Sequence, residues 1–440
     1  MQNKFKYITS LFNKIYSVNN PLIEVSYGLD NHSRIQIRKG DIGIFEKKEA
    51  IKDESSVILK TWKNMEIPFF FDQSYPEIIT RENDSFIINY DIIASSFFLL
   101  SGWNEYFSEK KDQYGRFPYS ESIQVKLGIT QKPVVNYYFD ILKTVIEEAY
   151  SVKLNGSKWG EHDFVTCITH DIDTCETGWL EGGFHALKKK DIIVPVKLVF
   201  KKIFSQDAWF NFREILKLEN DLNVHSTFFF LGYDKPRSGI KNADYDITSE
   251  KFRKIFNEIV TSGSEAGLHA SAMTHKDISL FNQDLNRMNH PVNGVRFHFL
   301  LYDHQTTPFI LDKAGIKYDS SLGFAEQFGF RNSFCFPFQP YDIRNDKPFD
   351  FYEIPLVLMD GTLQKYLSLS PLEAMNNLSD LILEIKRFKG CFTLLWHNTH
   401  FSEYKYAGWK EVFIQISELC KKENSLFLTC SGLVNTFKNE

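Results

Sequence analysis

The chain lacks the cysteine spacings that would suggest a disulfide scaffold or a zinc knuckle: its six cysteines include no C-x-x-C pair. Cys167 and Cys391 stand inside apolar, strand-like runs and read as small core residues, so a reducing, cytoplasmic setting is expected. Long hydrophobic runs are missing too. Nothing approaches the ~18 apolar residues of a membrane span, and the basic start Met1-Gln2-Asn3-Lys4-Phe5-Lys6 is followed by no apolar stretch long enough for a secretory signal. There is no large excess of charge. A net charge of −5 over 440 residues argues against a broad polyanion-binding surface, so no nucleic-acid partner is expected. Two short pairs mimic motifs without meeting them. Gly182-Gly183 is no phosphate loop, and Ser320-Ser321 lacks the glycines of a nucleophile elbow.

What is abundant is phenylalanine, with 41 copies, in a composition that otherwise suits a folded domain or two. Residues 1–155 have mixed character. Arg34-Ile35-Gln36-Ile37-Arg38 alternates at period two, as a half-buried strand does, and Ile67-Pro68-Phe69-Phe70-Phe71 is a second apolar run. Residues 91–106 and 134–150 have the spacing of buried helices. No catalytic constellation stands out there, which predicts an α+β accessory domain. The polar stretch Asn155-Gly156-Ser157-Lys158 marks the expected boundary.

Beyond it strand and helix signals alternate. Strands are predicted near 164–173, 226–231, 265–269, 294–298, 354–358, 391–396 and 426–428. Helices are predicted over 249–263, with Ser249 as N-cap and Gly263 as stop, and over 372–388 and 409–420. Roughly seven or eight β/α units would close a barrel; an open doubly wound sheet is the other α/β solution. Residues 182–207 interrupt the rhythm with Lys188, Lys189, Lys190, Lys197, Lys201 and Lys202 among apolar side chains. The basic segment 186–204 could cover the barrel or touch an anionic membrane surface.

The stretch Phe164-Val165-Thr166-Cys167-Ile168-Thr169-His170-Asp171-Ile172-Asp173 organises the rest. Alternation along an extended chain puts Asp171 and Asp173 on one side, where two carboxylates repel unless a proton or cation lies between them. Active groups of β/α barrels gather at the C-terminal ends of strands. The other predicted strand ends carry His269, Arg296 with His298, Asp319 and His397.

These endings, in this order, make residues 160–435 resemble the polysaccharide deacetylases of the NodB-homology type. Thr169-His170-Asp171-Ile172-Asp173 looks like the T-H-D-x-D variant of that family's first motif. His269 matches the start of its second, Arg296-Phe297-His298-Phe299 its third, and Leu394-Leu395-Trp396-His397 its last. The N-terminal part, with Ser96-Phe97-Phe98-Leu99-Leu100-Ser101-Gly102-Trp103 and Gly115-Arg116-Phe117-Pro118, looks like the uncharacterised domain that precedes such deacetylases in some bacteria. The resemblance implies a deformed (β/α) barrel over 156–440, after a smaller α+β domain over 1–155. It implies a cytoplasmic, metal-dependent hydrolase that deacetylates N-acetylated amino sugars of a polysaccharide or its precursor. Asp171 would be the general base, Asp173 and His269 ligands of a divalent metal, zinc above all, and Arg296 would hold Asp171 ionised. His397 would protonate the departing nitrogen, with Asp319 orienting it. The metal and a backbone N–H near Phe299 would stabilise the oxyanion.

The usual second motif, H-x-x-x-H, is broken: the fourth residue after His269 is Met273, a poor zinc ligand. His275 or His298 could supply the third ligand, and His298 is the better candidate because strand ends converge. Two alternatives follow. One is a metal-independent amidohydrolase acting on another C–N bond. The other is a catalytically silent carbohydrate-binding relative that stacks sugars on Trp396, Tyr302 and Phe324. His397 and His400, three apart beside Asn398, could form a second metal site.

Overall fold

The structure is a computed structural model. It describes residues 1–16, 23–30, 33–51, 57–82, 84–156, 158–376 and 378–439; Ser157, within the expected boundary, lies outside them.

The C-terminal part is built on nine parallel strands, numbered from Phe164: β1 Phe164–Ile172, β2 Ser226–Leu231, β3 Glu265–Ala270, β4 Gly294–Phe297, β5 Tyr318–Asp319, β6 Tyr352–Glu353, β7 Leu358–Met359, β8 Cys391–Leu395 and β9 Ser425–Phe427. Their order is β6-β5-β4-β3-β2-β1-β8-β7, and β9 pairs with the start of β1. All nine residues of β1 are buried, as expected of a central parallel strand covered on both faces.

The connection between the edge strands shows that this sheet is curled. Laid flat, eight strands at about 4.8 Å spacing would hold their edges roughly 34 Å apart. Yet β6 ends at Glu353 and β7 starts at Leu358, and a chain that short spans at most about 18 Å. The two edges must therefore approach each other, which makes the sheet a deformed (β/α) barrel rather than an open doubly wound one. The strand predicted over 354–358 is this closing stretch. Only its last residue is in a ladder, because Ile354 and Leu356 donate instead to the carbonyls of Asp319 and Leu322.

Several helices differ from the spacing. The helix predicted over 91–106 is two, Ile92–Leu100 and Trp103–Tyr106, broken at Gly102. There φ is +63°, and a Cβ would lie 2.4 Å from the His304 ring. The helix predicted over 372–388 is confined to Leu378–Arg387, after a run of turns. Residues 182–207 belong to a helical hairpin, Gly178–Lys188 and Ile193–Phe204. Val134–Tyr150 forms as expected; the strand Ile35–Ile37 forms too, but Gln36 is buried with its neighbours rather than facing solvent. Ser249 stands at the N-cap of Glu250–Thr261 without a side-chain hydrogen bond, and Gly263 follows that helix at φ +88°.

The N-terminal part carries a four-stranded sheet of Val25–Tyr27, Ile35–Ile37, Ser85–Ile88 and Ile79–Glu82, a hairpin of Ile58–Trp62 and Met65–Phe69, and helices including Gln2–Tyr16. A single apolar core runs from these elements into the barrel. Polar ties reinforce it: Gln124 Nε2 donates to the Arg331 carbonyl at 2.6 Å, and Asn136 Oδ1 accepts from the Cys335 N–H at 3.1 Å. All six cysteines are buried free thiols. No helix among the described residues is long and apolar enough to cross a membrane.

Candidate active site

Strand register brings the polar strand ends together. Arg296 of β4 lies opposite His269 of β3, and His269 opposite Leu231 of β2. Asp173 stands one residue past the Ile172–Phe230 pair, so it reaches the same level. On the other side Leu395 pairs with Thr169, which carries His397 to the height of Asp171. His298 follows Arg296 by two residues, so both share the inward face. His170, between the two inward-facing residues Thr169 and Asp171, points the other way. Its ring bonds the Trp396 carbonyl at 2.6 Å and Glu219 at 2.8 Å beneath Phe228 and Phe401, which is a structural role.

Asp173, His269 and His298 form the tightest cluster. His269 Nε2 lies 3.2 Å from Asp173 Oδ1, His298 Nδ1 lies 3.3 Å from it, and the two ring nitrogens are 3.1 Å apart. The far nitrogens are both committed. His269 Nδ1 donates to the Arg296 carbonyl at 2.8 Å, and His298 Nε2 donates to the Lys241 carbonyl at 3.2 Å. A carbonyl oxygen can only accept, so the ring nitrogen facing it carries the proton, and in each neutral ring the lone pair faces Asp173. Asp173 Oδ1 is buried with no hydrogen-bond partner of good geometry. Three acceptors converging at this range repel one another unless a cation or a proton lies among them; burial opposes a charged His269, but Asp171 and Asp173 raise its pKa. One carboxylate and two imidazoles, with space on one side, match the donor set of a catalytic zinc site.

Asp171 is buried beside this cluster, its Oδ2 3.8 Å from His269 Nε2. Arg296, fully buried, donates from Nη1 to Asp171 Oδ1 at 3.0 Å and to Thr169 Oγ1 at 2.7 Å. Its Nε and Nη2 donate to the Ser320 carbonyl and hydroxyl at 2.7 and 2.8 Å, and its face lies over the Phe229 ring. A buried guanidinium is tolerated only when satisfied in this way.

His397 presents Nε2 to the cavity, 3.7 Å from Asp173 Oδ2. Its Nδ1 is bonded to Asp360 Oδ1 at 2.7 Å, and its backbone N–H donates to Asp360 Oδ2 at 2.7 Å. Burial opposes the imidazolium, but the charge of Asp360 and its hydrogen bond, helped by Asp173 and Asp171, raise the His397 pKa to about 10. Burial would also raise Asp360, yet His397 and His400 hold it well below the usual carboxylate range.

The orienting role expected of Asp319 therefore falls to Asp360. Asp319 accepts from Ser321 Oγ at 2.7 Å, and Ser321 Oγ in turn accepts from the Phe297 N–H at 2.9 Å. Burial raises the Asp319 pKa to about 6, and burial with the charge of Asp319 pushes Glu353 well above the usual carboxylate range, so this buried pair does not carry two full charges. Asp319 thus supports the turn that cradles Arg296. Asp360 directly follows β7, a strand of two residues that the apolar run 354–358 obscured. Its signal was a carboxylate before glycine at a strand's exit, Leu358-Met359-Asp360-Gly361. The imidazoles of His397 and His400 share this one carboxylate, so Asp360, His397 and His400 form a second cluster with the donor types of an ion site.

The other ligand candidate, His275, lies elsewhere. Its carbonyl accepts from Thr306 and Thr307, and burial lowers its pKa to about 4. Trp396, Tyr302 and Phe324 are buried, so none offers a stacking face. The barrel packs its large rings inward, and the rings lining the cleft are Phe299, Trp209, Tyr366 and Tyr406.

Asp171, Asp173, His269, His298 and His397 all open onto one cavity of about 330 Å³. Arg116, from the N-terminal part, reaches its wall. It donates to the Phe299 carbonyl at 3.2 Å and is paired with Asp112 at 2.8 Å and Glu326 at 3.3 Å, while Tyr114 stacks on Phe299.

A model described as a family of unknown function, DUF7033, matches residues 1–151. No curated protein matches the chain. Among solved structures, one described as a polysaccharide deacetylase from Mycobacterium smegmatis is similar at 15% identity and TM-score 0.41, covering 63% of this chain and 91% of that one. A counterpart from Pseudomonas aeruginosa PAO1 stands at 12% identity and TM-score 0.42, covering 64% and 93%. An allantoinase stands at 12% and 0.42, covering 63% and 91%. At such identities and scores the likeness carries no functional conclusion.

Proposed function

We propose that this chain is a metal-dependent hydrolase that removes acetyl groups from N-acetylated amino sugars of a polysaccharide or its precursor. The observation that carries the reading is the convergence of the free lone pairs of His269 and His298 on Asp173, within 3.3 Å, beside a carboxylate and an imidazole. Asp173, His269 and His298 would hold a divalent ion, zinc by its donor set, which when bound eases deprotonation of a water and polarises the acyl oxygen. Asp171 takes the proton from the attacking water, and Arg296 fixes the orientation of its carboxylate. His397 delivers a proton from Nε2 to the leaving nitrogen; Asp360 on Nδ1 sets the ring and keeps that proton available. Asp319 acts at one remove, through Ser321 and the turn beneath Arg296. The Phe299 region lines the cavity where the backbone donor to the oxyanion is expected.

Residues 1–155 and 156–440 are two units in this reading, and the first contributes Arg116 to the substrate wall of the second.

The test is acetate release from N-acetylated amino-sugar oligomers by protein of known metal content. Release that Asp171→Asn abolishes and a chelator suppresses supports the proposal. Release unaffected by complete metal removal would point to the metal-independent amidohydrolase. Glycan binding without release would point to a silent carbohydrate binder.

A further inference from the structure

The helical hairpin Gly178–Lys188 and Ile193–Phe204 is folded inside out relative to an ordinary surface hairpin. Its two helices meet through small residues. A Cβ on Gly182 would lie 3.0 Å from the Leu198 side chain, and one on Gly183 3.6 Å from Pro195. The large apolar side chains point outward. Of sixteen large hydrophobic residues exposed among the described residues, ten lie between Leu180 and Phe204. Leu180, Phe184 and Leu187 form one helical stripe, and Ile193, Val196, Phe200 and Ile203 another, with Phe204 76% exposed. In the second helix Leu198 alone is buried.

The charge on the hairpin is predominantly positive. It carries six lysines against two carboxylates, within a chain whose net charge is −5. Both carboxylates are engaged, Glu181 by Lys405 at 2.5 Å and Asp191 by the N–H groups of Ile193 and Val194. Among the described residues, Lys189, Lys190, Lys197 and Lys201 are exposed and make no ion pair.

We propose that this hairpin docks the protein on an anionic lipid bilayer, lying in the headgroup region with its phenylalanines and isoleucines in the acyl boundary. The combination selects lipid over protein. Lysine is depleted from protein–protein interfaces, whereas a lysine-flanked apolar helix face rich in Phe, Ile and Leu suits an anionic bilayer surface. The hairpin is too short to span, so it binds in the plane. Glu181 lines the catalytic cavity, so docking sets the cleft mouth beside the headgroups. Resting on the hydrolase reading above, this makes the substrate an acetylated amino sugar carried on a membrane lipid.

The test is vesicle flotation of the full chain, which needs no catalysis. Wild type is expected to float with vesicles of equal parts phosphatidylglycerol and phosphatidylcholine, and about tenfold less with phosphatidylcholine alone or in high salt. The double variant Phe200→Glu, Ile203→Glu is expected to stay in the dense fraction with an unchanged melting temperature and metal content. Wild type that ignores anionic vesicles overturns the proposal, as does a double variant that still floats. So does a wild-type dimer in solution that the same variant splits, since the patch would then face a second copy. Flotation without acetate release from any acetylated sugar would leave the docking surface standing and count against the hydrolase reading instead.

Discussion

His397 and Asp360 are joined twice: ring Nδ1 to one carboxylate oxygen and backbone N–H to the other, each at 2.7 Å. The double contact fixes both the rotation of the imidazole and its proton inventory, leaving Nε2 directed at the cavity. With the His397 pKa raised from 6.5 to about 10, the folded protein retains this proton well above neutrality. Asp360→Asn is expected to lower kcat by about 10²-fold or more and to move the basic limb of its pH profile to lower pH. A profile of unchanged shape would mean that Asp360 serves packing alone.

The same pair links stability to pH. A histidine whose folded pKa exceeds its unfolded value stabilises most when protonated in both states. Its contribution is therefore full below about 6.5 and is lost as pH rises through about 10. Melting temperatures between these values are expected to fall with pH in wild type and to fall less in Asp360→Asn, once each is referred to its own acid plateau.

Arg296 makes four hydrogen bonds with no exposure to solvent. Truncation to alanine leaves Asp171 buried without its partner and is expected to cost about 3–5 kcal/mol in urea unfolding. Arg296→Lys restores a charge but not the fork that spans Thr169, Asp171 and Ser320, so activity is expected to stay low while part of the stability returns.

Arg116 ties the N-terminal part to the cleft through the Phe299 carbonyl and Glu326. Arg116→Ala is expected to raise KM about 10–100-fold with a smaller change in kcat, since it removes charge-assisted contacts from the wall rather than from the reacting atoms. Steady-state kinetics on one oligosaccharide decide this. A loss confined to kcat would place the effect in the geometry of the 298–300 turn.

Much of this arrangement was legible along the chain. Asp171, Asp173, His269, Arg296, His298 and His397 each end a strand-like run, and parallel strands bring such endings to one rim whatever lies between them. Asp360 was not legible, because β7 is two residues long and its apolar lead-in merges with the chain that closes the barrel. Asp319 closes a strand of two residues, but its carboxyl turns to Ser321, a choice made by side-chain packing. Trp396, Tyr302 and Phe324 read equally well as sugar platforms or as core, and only tertiary burial separates the two. Arg116 meets Phe299 across 183 residues of sequence, a contact that no local pattern encodes. The hairpin's outward apolar stripes were hidden for a related reason. Period and composition show amphipathic helices, while the glycines that turn the apolar faces away act only through packing.

The metal ligands yield a direct contrast. His298→Ala is expected to lose the bound ion on dialysis, whereas His275→Ala is expected to retain it, as read by elemental analysis. Equal retention in both variants would remove His298 from the ligand set.

The most direct test is an anomalous difference map at the zinc edge from crystals of the active protein. One peak is expected, about 2.0–2.2 Å from Asp173, His269 and His298, with Asp171 and His397 flanking it. A peak among Asp360, His397 and His400, or fully active protein with no bound divalent ion, would contradict it.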